Sequence, residues 1–237
     1  MSKIDGNLQS RLAAVQRRIQ DACAAAGRAR GSVALLAVSK TFASDAVREA
    51  AAAGQRAFGE NYIQEGVDKI ATLAAMGVKD LQWHMIGPVQ SNKTRLVAEH
   101  FDWMHTVDRL KIAQRLSEQR PQALAPLQVC IQVNVDGGAT KSGVPPGEAL
   151  ALARAVAQLP RLQLRGLMCI PEPAPDFVAQ QQAFMRTTEL FNHILAAEPS
   201  WRSWDTLSMG MSADLEAAVH AGSTLVRVGT AIFGRRT

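Results

Sequence analysis

Lys40 closes the run VALLAVSK at 33–40, which is rich in Val and Leu and short of polar atoms. A run of that length and composition reads as a strand buried on both faces. A lysine at its carboxyl end leaves the sheet and enters whatever cavity lies above it. Desolvation there lowers the amine pKa and makes a Schiff-base nucleophile. Taken alone, VSK reads as well as a solvated lysine at a strand end, because charged side chains usually stay in water.

Two later stretches bear on that choice. LSMGMS (207–212) and VGT (228–230) supply glycines and small hydroxyl residues, which let backbone N–H groups approach an anion. SMGMS by itself is equally a turn with a helix cap. A lysine on the first strand with an anion cradle on the last two suggests a phosphorylated carbonyl compound held as an imine. Pyridoxal phosphate and phosphosugars both qualify. Arg227 sits two residues before Gly229 on an alternating stretch, with Val226 and Val228 on the opposite face. A buried arginine needs a partner; a pyridine ring nitrogen or a carboxylate such as Asp205 would serve. Arginine beside a pyridine nitrogen keeps it unprotonated and weakens the ring as an electron sink. Carbanion chemistry pairs that nitrogen with a carboxylate instead.

Other candidates fall away on their own patterns. GGATKSG (137–143) fails as a phosphate loop: Thr140 stands where glycine must precede Lys141, and Val135 replaces the first glycine. His84, His100, His105, His193 and His220 form no HxxxH or HxH pair, so no metal site is expected. His84 reads as a packed, hydrogen-bonded histidine. Cys169 lies between Met168 and Ile170, a setting for packing rather than thiolate activation.

The elements that must position these residues follow from periodicity. Ile4, Leu8, Leu12, Val15, Ile19 and Cys23 recur every three or four residues, one stripe of an amphipathic helix that stops near Gly27. After it, strand and helix patterns alternate. Strands are expected at 33–40, 57–61, 82–87, 103–107, 127–135, 162–170, 206–209 and 225–229. Helices are expected at 44–53, up to 76, 91–99, from Asp108 as cap to 119, 146–158, 176–197 and 212–221. Ser44 or Asp45 is expected to cap the first of these. Eight such units in about 200 residues predict an α/β fold, a single (β/α)8 TIM barrel with an extra N-terminal helix, placed to cover the barrel floor. An open doubly wound sheet is the alternative, but its usual glycine-rich first turn is replaced by SKTFAS. In a barrel the site lies at the carboxyl ends of the strands, where Lys40, Asn61, Ser208, Arg227, Gly229 and Thr230 fall.

Composition sets the bounds. The 237 residues are 47% hydrophobic and 20% charged, which argues for one globular domain over 1–237 and against disorder. The net charge of +5 is scattered, as at Arg17, Arg18, Arg235 and Arg236, and no nucleic-acid motif accompanies it, so no nucleic-acid partner is expected. An anionic small molecule fits that charge. Three cysteines in apolar contexts indicate reduced thiols and a cytoplasmic protein. The opening MSKIDGNLQSRL has no apolar core, so neither signal peptide nor membrane span is expected.

AVSKT (37–41), FGENYIQE (58–65), WHMIGPVQSNK (83–93), HTVDR (105–109), KSG (141–143), RGLMCIP (165–171), LSMGMS (207–212) and STLVRVGTAIFG (223–234) stand in one order. Together they resemble the pyridoxal phosphate homeostasis proteins over about residues 7–236. That family is similar to the barrel domain of bacterial alanine racemase without its second, β-rich domain. The resemblance implies that Lys40 carries pyridoxal 5'-phosphate as an internal aldimine. It implies that Ser208, Gly229 and Thr230 hold the phosphate, that Arg227 meets the ring nitrogen and that Asn61 lies beside the ring. It further implies a role in intracellular vitamin B6 homeostasis, buffering the cofactor or delivering it to apo enzymes, with no established catalysis and no catalytic residue. The polar outer helix faces suit a monomer. The alternative is a pyridoxal phosphate-dependent amino-acid racemase, which needs acid/base groups on both faces of the imine. Tyr62, the single tyrosine, falls on the wrong side for that, and His84 is the fallback.

Overall fold

Strand alternation sorts the side chains between a barrel interior and a helix layer, and the computed structural model places eight parallel strands in that relation. It describes residues 7–138 and 142–234; Ile4, Thr140, Lys141, Arg235 and Arg236 lie outside the described residues. The strands are β1 (Ala34–Val38), β2 (Ala57–Glu60), β3 (Gln82–Met85), β4 (Trp103–Val107), β5 (Leu127–Gln132), β6 (Leu162–Met168), β7 (Thr206–Ser208) and β8 (Leu225–Val228). They close in sequence order, with β8 paired to β1. This is the expected (β/α)8 barrel.

The helices are α1 (Leu8–Ala25), α2 (Ser44–Ala52), α3 (Ile63–Ala75), α4 (Thr94–His100), α5 (Leu110–Gln119), α6 (Pro146–Ala157), α7 (Phe177–Ala197), α8 (Leu215–His220) and α9 (Thr230–Phe233). Most strands end one to three residues earlier than their apolar runs, because those runs continue into the mouth of the barrel. Lys40 therefore stands two residues past β1, and Gly229 one past β8.

On β8, Leu225 joins Leu36, Val38 and Ile86 in the interior, while Val226 and Val228 pack outward into the main core. Arg227 is interior and 4% exposed. Close approach at the mouth is set by Gly87, where an added Cβ would lie 2.1 Å from the carbonyl oxygen of Asn61. Any other residue there would push the end of β2 out of place.

Three expectations need correction. Ser44 and Asp45 do not cap α2: the cap is Ala43 with no side-chain bond, and Asp45 pairs with Arg48 in the first turn. Asp108 does not cap α5; the cap is Arg109, whose guanidinium takes Asp108 at 2.8 Å. The N-terminal helix does not cover the barrel floor. Its stripe of Leu8, Leu12, Val15, Ile19 and Cys23 is buried as the spacing requires, but against α8, α9 and α2. The reason is the length of α9. The helix after β8 has four residues, too short to cover its share of the barrel wall, and α1 fills that gap in the outer ring.

Candidate functional site

A cavity of about 290 Å³ opens at the carboxyl ends of the strands, near the lower end of the roughly 300–1,000 Å³ usual for small-molecule sites. Lys40, Asn61, Ser212, Arg227, Gly229 and Thr230 all line it. The barrel thus brings together five of the six residues expected from sequence. Ser208 is not among the lining residues. It is fully buried beneath them.

Arg227 sets the floor of the cavity. One terminal nitrogen donates to the Ser208 carbonyl at 2.6 Å and to Ser208 Oγ at 2.8 Å, and the other to the Cys169 carbonyl at 2.9 Å. Burial pushes its pKa down. Asp205 is not its partner: that carboxylate forms a two-point pair with Arg165 at 2.7 and 3.0 Å. Among the described residues no carboxylate touches the Arg227 guanidinium. Its charge is met by carbonyl dipoles and a hydroxyl, and it faces the cavity.

Below Arg227 runs a chain of hydrogen bonds that periodicity could not show. Ser208 Oγ meets His105 Nδ1 at 2.8 Å, His105 Nε2 meets His84 Nδ1 at 2.9 Å, and His84 Nε2 meets Gln82 Oε1 at 3.0 Å. An arginine at one end can only donate, and a carbonyl oxygen at the other can only accept. The bonds therefore run one way: Ser208 gives its proton to His105 Nδ1, and each histidine carries its own on Nε2. Burial holds the His84 pKa down at about 3. His105 is pushed well down by burial, then by His84 and Arg227. Both rings are neutral, and His84 stacks on Trp103 with centroids 5.1 Å apart. His84 is a packed interior group, as its setting in the sequence suggested, and is absent from the described lining.

Tyr62 is 55% exposed and lines a separate, open depression of about 800 Å³ with Lys93 and Arg109, which shares Asn61 with the Lys40 cavity. The cysteines are free and buried; burial pushes the Cys169 thiol up to about 11 and Cys130 to about 12. Among the described residues no group of His, Cys, Asp and Glu could hold a metal ion, and no helix is long and apolar enough to cross a membrane.

Sequence reasoning took Ser212 only as part of the SMGMS loop and did not single it out beside Ser208. It also missed the two histidines as a unit, since they lie on different strands.

The alanine racemase N-terminal domain family matches residues 10–237. The pyridoxal phosphate homeostasis protein of Vibrio cholerae is 56% identical over 231 residues, covering 97% of both chains. That of Pseudomonas aeruginosa is 59% identical over 225 residues, covering 95% of this chain and 94% of the relative. The chain belongs to the pyridoxal phosphate homeostasis protein family. Among solved structures, PipY of Synechococcus elongatus with PLP bound has a TM-score of 0.82 at 36% identity, covering 96% of this chain and all of that one. Alanine racemase from Corynebacterium glutamicum, at 18% identity and a TM-score of 0.65, shares the fold over 63% of its own length.

Proposed function

We propose that this chain binds pyridoxal phosphate and takes part in vitamin B6 homeostasis, holding the cofactor as an imine on Lys40 Nζ and buffering or delivering it. The observation that carries the reading is Arg227. A buried guanidinium without a carboxylate, across a cavity from a lysine amine, suits a neutral ring nitrogen and an aldehyde on the same ligand. Two further features fit. Asn61 Oδ1 is buried without a hydrogen-bond partner, an acceptor left for a donor on the ligand. Thr230 and Ala231 open α9, so their N–H groups have no partner inside the helix and can meet a phosphate.

In this reading the phosphate rests on Gly229 and Thr230, with Ser212 on the facing loop. Ser208 supports them from behind by holding Arg227, since its oxygen is engaged by Arg227 and His105. Bound pyridoxal phosphate supplies an aldehyde carbon that condenses with primary amines. An arginine on the ring nitrogen favours storage over racemisation, as does a described lining that offers, besides Lys40, no His, Tyr, Cys, Asp or Glu to act as a second acid/base group. The neutral His84 and the outlying Tyr62 offer no acid/base pair across the site. We place the protein in the cytoplasm as a monomeric single-domain barrel, with apo enzymes as recipients.

The test is an absorbance spectrum of the purified protein before and after borohydride. A visible band that borohydride abolishes, with the added mass on the Lys40 peptide, is expected. Lys40→Ala should lose the band and keep weak binding through the phosphate contacts. A colourless protein that added pyridoxal phosphate does not convert would overturn the reading in favour of a phosphosugar.

A further inference from the structure

On the helix side of β1, directly behind Lys40, lies a buried ion cluster that cofactor contact does not require. Ser39 precedes Lys40, and Glu60 ends β2; both are fully buried. Lys69 of α3 enters the same space and is 4% exposed. Its ammonium has three donors, and three bonds use them. Lys69 Nζ reaches Glu60 Oε1 at 2.6 Å, Glu65 Oε1 at 3.0 Å and the Ser39 carbonyl at 2.9 Å. Ser39 Oγ donates to the same Glu60 oxygen at 2.6 Å. The Thr41 N–H donates to the same Glu65 oxygen as Lys69.

The bonds converge on one residue without touching its side chain. The peptide before Lys40 is held at its carbonyl, and the peptide after it at its N–H. Thr41 has a φ of 68°, the left-handed region that a β-branched residue keeps only when its surroundings hold it there. A buried ammonium is costly unless fully paired, and an apolar side chain of similar length often fills such a space at no loss of stability. As packing alone the cluster is a poor solution. As a brace for the lysine backbone it has a purpose.

We propose that Lys69, with Glu60 and Glu65, positions Lys40 for imine formation. This rests on the reading that Lys40 binds an aldehyde. The bond at stake forms when the neutral amine adds to the aldehyde carbon; C=N replaces C=O, and the oxygen leaves as water with both amine protons. Fixing the two flanking peptides fixes where Nζ meets that carbon.

The experiment compares two ligands on the full chain. Pyridoxal phosphate can form the imine. 4-Deoxypyridoxine 5'-phosphate carries the same ring and phosphate but no aldehyde. Lys69→Met should weaken pyridoxal phosphate by roughly tenfold to a hundredfold, the scale of a misplaced reacting group, and leave the deoxy ligand within about twofold. Glu65→Gln, at a partly exposed position, should show the same selectivity more weakly and guards against a Lys69→Met protein that does not fold. Equal weakening of both ligands, or of neither, in a folded variant would overturn the proposal. If the wild-type chain binds both ligands alike and borohydride traps nothing on Lys40, the underlying cofactor reading fails instead.

Discussion

The two walls of the cavity are held in different ways. The lysine wall, from β1 and β2, is braced by buried charges: Lys69 and Glu60 are almost inaccessible to water. The opposite wall, from the loops after β7 and β8 and proposed above as the anion wall, is braced from outside by arginines of α1. Arg11 donates to the Ile232 carbonyl at 2.7 Å, and Arg18 to the Ser212 carbonyl at 3.1 Å and to Glu216 at 2.8 and 2.9 Å. Arg18 and Glu216 are 38% and 41% exposed, so water screens the pair. A buried cluster enforces one arrangement and tolerates no lost partner. A screened contact yields at low cost. In the proposed reading, the wall that places a reacting atom has the rigid brace, and the wall that seats a spread charge has the yielding one.

The largest expected effect lies between the walls, at Arg227. Arg227→Glu would set a carboxylate against the Ser208 and Cys169 carbonyls. It should destabilise the fold by about 3 kcal/mol or more, the scale for an uncompensated buried charge, measured by urea unfolding. In whatever fraction folds, the bound-ligand absorbance should shift as the ring nitrogen gains a proton. An unchanged spectrum would break the assignment of Arg227 to the ring.

A middle-sized effect comes from the histidines beneath. His84 titrates at about 3 in the fold, and His105 is likewise pushed well down. In the unfolded chain each takes a proton near about 6.5. Between those values the unfolded state binds more protons, so stability falls as pH falls. Each histidine contributes up to about 1.4 kcal/mol per pH unit to that slope. Urea midpoints between those pH values should follow it, and His84→Gln should flatten it. An unchanged slope in His84→Gln would count against a neutral, buried His84.

The smallest effect sharpens the contrast most. Arg18→Ala should cost roughly 0.5–1 kcal/mol or less, as for exposed ion pairs. It should weaken pyridoxal phosphate and its deoxy analogue equally, because it loosens only the Ser212 loop. Paired titrations of Arg18→Ala and Lys69→Met would show whether the walls act separately. Selective loss of pyridoxal phosphate in Arg18→Ala would join them into one.

Much of this was legible in the sequence, for definite reasons. The barrel follows from apolar runs such as LQVCIQ at 127–132 alternating with amphipathic helices, and burial on both faces gives such runs their composition. The inward Arg227 and the helix stripe of α1 follow from periods of two and 3.6. The positions of Lys40, Asn61, Gly229 and Thr230 follow from strand ends. What stayed hidden depends on pairs distant in the chain. The pairing of Asp205 with Arg165 rather than Arg227 is a matter of level along the strands, Asp205 lying just before β7 and Arg227 beside the residues that follow it, and nothing local signals it. Lys69 looks like any helix lysine until Glu60 is seen beside it. The seat of α1 depended on the length of α9, and four residues are too few for a periodic signal.

That seat has a consequence for how the chain folds. α1 is synthesised first, yet its ion pair between Arg18 and Glu216 joins residues 198 apart. Its stripe of Leu8, Leu12, Val15 and Ile19 can meet α2 early, but the larger part of its packing waits for α8 and α9. Such long-range closure is slow, because loop entropy is lost before any contact compensates for it. The ring shuts where the earliest segment meets the latest. Completion of the barrel and completion of the wall proposed to seat the phosphate are therefore one late event in the folding of the chain.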